Sequence, residues 1–183
     1  MEEVVYSNHT IDFARVALEF CAWVEKVRAN DKETFIEQGT KILPLLYLKA
    51  SIVPPVEENY DSDLEVKVVE ETYAKVQTGV ADLLGEDDLY LETFHPDMPY
   101  SDTPVAVTIS EDLADIYQDL GNFISVFKHG QKETMNDSLA ACIESFKEYW
   151  GQRLVNALRA LHYLKYGIKH NERSHIDAGT GNI

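Results

Sequence analysis

Between residues 132 and 168, Leu139, Ile143, Phe146, Trp150, Leu154, Ala157, Leu161, Leu164 and Ile168 recur at every third or fourth position. That period places them on one face of a single long α-helix. A helix with one apolar stripe is stable in water only when the stripe is covered, so partners with the same period are required. Four shorter stretches supply them. Residues near 9–30 carry Phe13, Val16, Ala17, Phe20, Val24 and Val27, with Ser7 or Asn8 as N-cap. Asp31 caps a second stretch through Phe35, Gly39, Ile42, Leu43 and Leu46, in which Pro44 predicts a kink or a break. A third starts after Asp63 and runs through Val69, Tyr73, Val76, Val80 and Leu83 to a C′ glycine, Gly85. The fourth is capped by Ser110, buries Leu113, Ile116, Leu120, Phe123 and Phe127, and ends near His129–Gly130. Gly151, inside the fifth helix, predicts a close helix contact.

These stretches predict an all-α, single-domain five-helix bundle-like fold over residues 1–168, followed by a C-terminal tail over 169–183 that has lost the period. Between helices three and four, "EDDLYLETFHPDMPYSDTPVAV" has three prolines and some alternation. It reads as a long ordered loop with a short strand, and loops of that length are more often functional than short ones. Cys21 and Cys142 lie apart among apolar residues and read as buried reduced thiols.

Charge divides the chain. Residues 57–119 hold eighteen Asp and Glu against Lys67 and Lys75, so this window alone accounts for the formal charge of −16. Residues 128–183 are mildly basic. An acidic centre repels phosphate backbones and anionic bilayers, which argues against direct nucleic-acid or membrane binding and for a basic protein partner. The opening "MEEVVYSNHT" lacks the basic and apolar regions of a secretory signal, and apolar runs such as "ILPLLYL" are too short to span a bilayer. Both features predict a cytoplasmic location.

Within "ISEDLADIYQDL", Glu111, Asp112, Asp115 and Asp119 flank the buried arc of the fourth helix. Like charges spaced three and four apart repel, and more so at the edge of a core. Arg153 falls on the margin of the fifth helix's apolar stripe, whereas Arg159 falls on the solvated side. A half-buried guanidinium needs a carboxylate, so Arg153 is expected to meet Asp112, Asp115 or Asp119. Aromatic residues are interleaved with the acids, at Tyr60, Tyr73, Tyr90, Phe94, Tyr100 and Tyr117. They either anchor a partner on an acidic rim or pin the loop to the bundle through hydroxyl–carboxylate bonds. The binding residues taken from this reasoning are Asp112, Asp115, Asp119, Arg153, Tyr100 and Tyr117.

Other chemistry finds little support. Two E-x-x-H spacings, Glu92–His95 and Glu172–His175, fall in the loop and the tail, not on bundle helices where a carboxylate-bridged metal site needs them. "DSDLE" begins like a calcium loop, but the sixth position is Val66 and the twelfth Thr72. There is no paired-Cys zinc pattern, no P-loop and no nucleophile elbow. His162 reads as a packing histidine. No catalytic residue, metal or cofactor is assigned.

The block "LGEDDLYLETFHPDMPYSDTPVAVTISEDLADIYQDL", with "LPLLYLKAS" upstream, resembles a bacterial family known as domain of unknown function 5063. The resemblance covers nearly the whole chain. It implies a small cytoplasmic all-α protein and brings no activity, cofactor or catalytic residue. The expectation is a non-enzymatic interaction or regulatory protein that shows an acidic, aromatic-containing surface to a protein partner. The alternative is an enzyme or metal-binding protein with a carboxylate–Arg site between helices four and five. Oligomeric state is left open.

Overall fold

A computed structural model describes residues 3–57, 62–92 and 105–167; the tail over 169–183 lies outside them. The fold is all-α with one small β-ribbon. Helix α1 spans Asn8–Glu25 and α2 spans Lys32–Ser51. Helix α3 spans Glu70–Leu84. Strands β1, Leu89–Leu91, and β2, Ala106–Thr108, pair antiparallel with Tyr90 opposite Val107. Helix α4 is Ile109–Phe127, α5 is Lys132–Ser145 and α6 is Gly151–Tyr166. A single π-helical turn, Phe146–Trp150, joins the last two.

Helix α4 occupies the centre and packs on α1, α3, α5 and α6, while α2 closes the bundle against α1 and α6. Its Ile109, Leu113, Ile116 and Leu120 are fully buried. An aromatic spine crosses the core, with Phe13 stacked on Phe123 at 5.3 Å and on Trp150 at 6.5 Å. Cys21 and Cys142 are free and buried, and burial pushes the Cys21 thiol up to about 12.

Local chemistry matches the sequence expectations at two helix caps and departs from them elsewhere. Ser7 and Asp31 cap α1 and α2, each accepting from the backbone N–H three residues on. Pro44, however, does not break α2. Leu43 and Leu46, both wholly buried, hold the helix against its neighbours on either side of the proline. Helix α3 begins later than expected, at Glu70 instead of just after Asp63. Asn122 Oδ1 accepts from the N–H groups of both Lys67 and Val68, at 2.8 Å each, and so keeps those residues out of the helix. The Thr72 hydroxyl then accepts from Val69 N–H at 3.1 Å and fixes the start of the helix.

Ser110 is not the cap of α4. Thr108 is, and Ser110 sits in the first turn with its N–H and hydroxyl donating to Asp88 at 2.8 and 2.6 Å. A carboxylate there satisfies an orphan N–H and complements the positive end of the helix dipole. Asp88→Ala is expected to cost about 1–2 kcal/mol of unfolding free energy, read by urea denaturation. Asp88→Asn should recover part of that loss, and an unchanged midpoint in the Ala variant would contradict this role for Asp88.

The expected continuous fifth helix carries the π turn. Gly151 N–H donates to Phe146 O across it. A Cβ at Gly151 would lie 2.4 Å from that same oxygen and 2.9 Å from the Phe146 ring. The glycine therefore accommodates its own π turn, not a neighbouring helix. His162 is exposed, with its ring 4.8 Å from Tyr166, and is not a core histidine.

Candidate functional site

The outer end of α4 meets α6, α3 and β1 in a compact polar cluster. Asp112 is completely buried. Its Oδ1 accepts from Arg153 Nη1 at 3.1 Å, and its Oδ2 accepts from the Tyr90 hydroxyl. One helical turn on, Asp115 accepts from the Tyr73 hydroxyl at 2.8 Å and from the Tyr149 hydroxyl at 2.6 Å, with Arg153 Nε 3.7 Å away. The Arg153 guanidinium lies 5.2 Å above the Tyr149 ring. Three elements thus supply phenols to two carboxylates on α4, and one arginine spans both.

Burial is the largest influence on Asp112 and pushes its carboxyl up to about 7, against the lowering effects of Tyr90 and Arg153. The same burial, reinforced by the carboxylates that accept their protons, raises the Tyr73 and Tyr90 hydroxyls and takes Tyr149 to about 12. These phenols stay protonated and act as hydrogen-bond donors. Beside the cluster, the buried Glu92 accepts from Asn156 Nδ2 at 2.7 Å, and Gln152 donates to Asn156 Oδ1 at 2.9 Å.

Of the residues singled out from the sequence, Asp112, Asp115 and Arg153 come together. Asp119 lies elsewhere on α4, facing α5, where burial raises its carboxyl against the lowering effect of the nearby Ser145 hydroxyl. Tyr117 is buried and donates to Glu25 at 2.8 Å on the α1 side. Tyr100 lies outside the described residues, as do Tyr60, Phe94, His95 and the Glu172–His175 pair. The described aromatics of the acidic window point inward: Tyr73, Tyr90 and Tyr117 each bond a carboxylate. Tyr149 in the cluster and Asn156 beside it were not singled out, and Glu92 had entered only through its E-x-x-H spacing. Asn156 carried a signal, as a polar residue within the apolar arc of a helix three positions after Arg153.

Chemically, the cluster consumes its own charges. Each Asp112 oxygen has a donor, and both Asp115 oxygens accept from phenols. No group of three His, Cys, Asp or Glu able to hold a metal ion occurs among the described residues. No helix among them is long and apolar enough to cross a membrane.

A helical bundle organised around a buried carboxylate–arginine–tyrosine network is the class these features define. Within it, the chain belongs to the family described as Domain of unknown function (DUF5063), which matches residues 4–167. It is similar, at 45% identity and a TM-score of 0.82, to the crystal structure of protein BF1032 from Bacteroides fragilis. The match covers 92% of this chain and 99% of that one. No curated protein matches the chain.

Proposed function

We propose that this is a non-enzymatic cytoplasmic interaction or regulatory protein whose acidic face receives a basic protein partner. The observation that carries the reading is uncompensated surface charge. Glu65, Glu70, Glu71 and Glu111 are exposed and form no ion pair among the described residues. Exposed apolar side chains, Val66 and Val69, lie beside them at 65% and 55% exposure. Apolar contacts ringed by unpaired carboxylates suit a cationic surface with apolar anchors. Asp112 and Asp115 serve this face from beneath, by fixing α3, α4 and α6 relative to one another.

The test neutralises the outward acids and leaves the inward ones intact. A variant with Glu65, Glu70, Glu71 and Glu111 changed to Gln is expected to fold and to melt a few degrees below the wild type, since Glu70, Glu71 and Glu111 lie in the first turns of α3 and α4. Affinity capture with the wild type, followed by reconstitution with the purified partner, should give a basic protein. Its binding should weaken as salt rises from about 50 to about 300 mM, where screening shortens to within a few ångströms, and it should be lost with the Gln variant. Equal binding by the variant, or an acidic partner, overturns the proposal.

A further inference from the structure

We propose that the groove between β1 and α6 binds a small monocarboxylate, a molecule that joins one carboxylate to an apolar body. The groove encloses about 440 Å³, within the range of small-molecule sites. Leu89, Leu91, Ile109, Ala160, Tyr163 and Leu164 form its walls. Leu89 and Tyr163 remain 61% and 66% exposed.

Arg159 supplies the polar anchor. Among the described residues, Arg15, Arg28 and Arg153 each lie within 4.0 Å of a carboxylate, at 3.8, 3.3 and 3.1 Å. Arg159 has no such partner, although the chain has thirty-two acids and sixteen Lys and Arg. It is nonetheless held in place. Its Nη2 donates to Leu91 O at 2.9 Å, and the guanidinium lies 6.0 Å from the Tyr90 ring centroid. The side chain is therefore oriented by neutral groups that leave its charge unneutralised, with further N–H donors free for an anion.

Two acids also line the groove, and one of them restricts what that anion is. Asp87 is turned to Lys32, and Glu86 forms no ion pair among the described residues. The unpaired Glu86 opposes a second negative charge, so a monocarboxylate fits better than a phosphate monoester. The carboxylate pairs with Arg159 while a chain or ring covers Leu89, Tyr163 and Leu164, which removes apolar surface from water on both partners. Two sources offer this chemistry: a free acyl or aryl acid, and the C-terminal carboxylate of a peptide ending in an apolar residue.

The experiment is a titration of the 15N-labelled full chain followed by amide chemical shifts. The probes are octanoate, 4-phenylbutyrate, acetyl-Leu-Leu as its acid and as its amide, octylamine and octyl phosphate. At least one carboxylate is expected to give saturable shifts confined to residues 86–91, 109 and 159–164. Octylamine and the peptide amide should not, and octyl phosphate should bind more weakly. Saturation by octanoate or phenylbutyrate points to a free acid; saturation by the peptide acid alone points to a chain terminus.

Arg159→Gln should weaken binding about tenfold or more, the loss of one charge-assisted pair. Tyr163→Ala should weaken it through lost apolar contact. Both side chains are exposed, so both variants keep the wild-type melting temperature. Absence of saturation with every carboxylate overturns the proposal. So does octylamine binding as tightly as octanoate, or full affinity in Arg159→Gln. None of these results bears on the acidic face, whose Glu65, Glu70, Glu71 and Glu111 do not line this groove.

Discussion

Arg153→Met is expected to lower the unfolding free energy by up to about 1.4 kcal/mol more at pH 8 than at pH 5, the cost of keeping a buried Asp112 carboxyl without its counter-charge one pH unit above its folded value. The side chain is three-quarters buried between α4 and α6, and its partner Asp112 is wholly so. Methionine keeps most of the volume, so the loss reports on charge, not on a cavity. The deficit depends on pH in a defined direction. In the folded protein the Asp112 carboxyl titrates at about 7, against about 3.9 for an unfolded aspartate. Between these values the unfolded chain has given up its proton and the folded chain has not. This group's contribution to stability is therefore fully present below about pH 4 and is lost as pH rises through about 7. Removing Arg153 takes away one of the influences holding that value down, so the carboxyl of the variant titrates higher still. At pH 5 both proteins carry a neutral Asp112, and the gap between them is small. Above pH 7 only the wild type can ionise Asp112 against a cation, and the gap widens. Urea unfolding at pH 5, 7 and 8.5 measures it. A gap that stays constant, or narrows as pH rises, would show that Arg153 acts on packing alone.

Trp150→Ala should cost about 3–5 kcal/mol, in the range of large aromatic deletions from a core. Trp150 is fully buried at the last position of the π turn, packed on Phe13 and Phe146. Its indole N–H donates to Cys142 O at 3.0 Å, a carbonyl near the end of α5. Trp150→Phe separates the two contributions. It keeps most of the apolar contact and removes one of two donors from a carbonyl that still accepts from Phe146 N–H, and about 0.5–1.5 kcal/mol is expected for the lost hydrogen bond. If Phe proves as damaging as Ala, the hydrogen bond and not the ring area holds the junction. If both variants melt like the wild type, the spine described above does not organise the core.

Helix positions were legible in the sequence because the apolar period is local. The stripes through Phe13, Leu113 and Leu154 each sit on a face that is buried in the fold. Helix boundaries were less legible, because distant side chains decide them. Nothing near Asp63 announces that Asn122, more than fifty residues on, holds the N–H groups of Lys67 and Val68. Asp88 likewise reaches forward twenty-two residues to take over Ser110. The π turn was invisible because it leaves the spacing of apolar residues intact and shows only as Gly151.

The cluster was partly legible. Two helical wheels with matching margins suffice to bring Arg153 towards Asp112 and Asp115, since each wheel is a local property. They cannot say that Asp119, one turn further on, rotates away towards Ser145 and Cys142. Nor can they say that Tyr90 arrives from a strand. The acidity of the central window was plain from composition, but its division into inward and outward members follows from tertiary packing. Asp112 ends in the core and Glu111, its neighbour, in water.

The central place of α4 has a consequence for how the molecule is assembled. Its neighbours α1 and α3 come from the first half of the chain and α5 and α6 from the second, while α2 bridges to α6 across the whole length. Neither half encloses its own apolar surface, so no fragment cut near residue 130 keeps a closed interior. Such a molecule opens and closes as a single cooperative unit. Its formation waits on contacts between segments far apart in the chain, which makes it slower to fold than a helical hairpin of the same helix content.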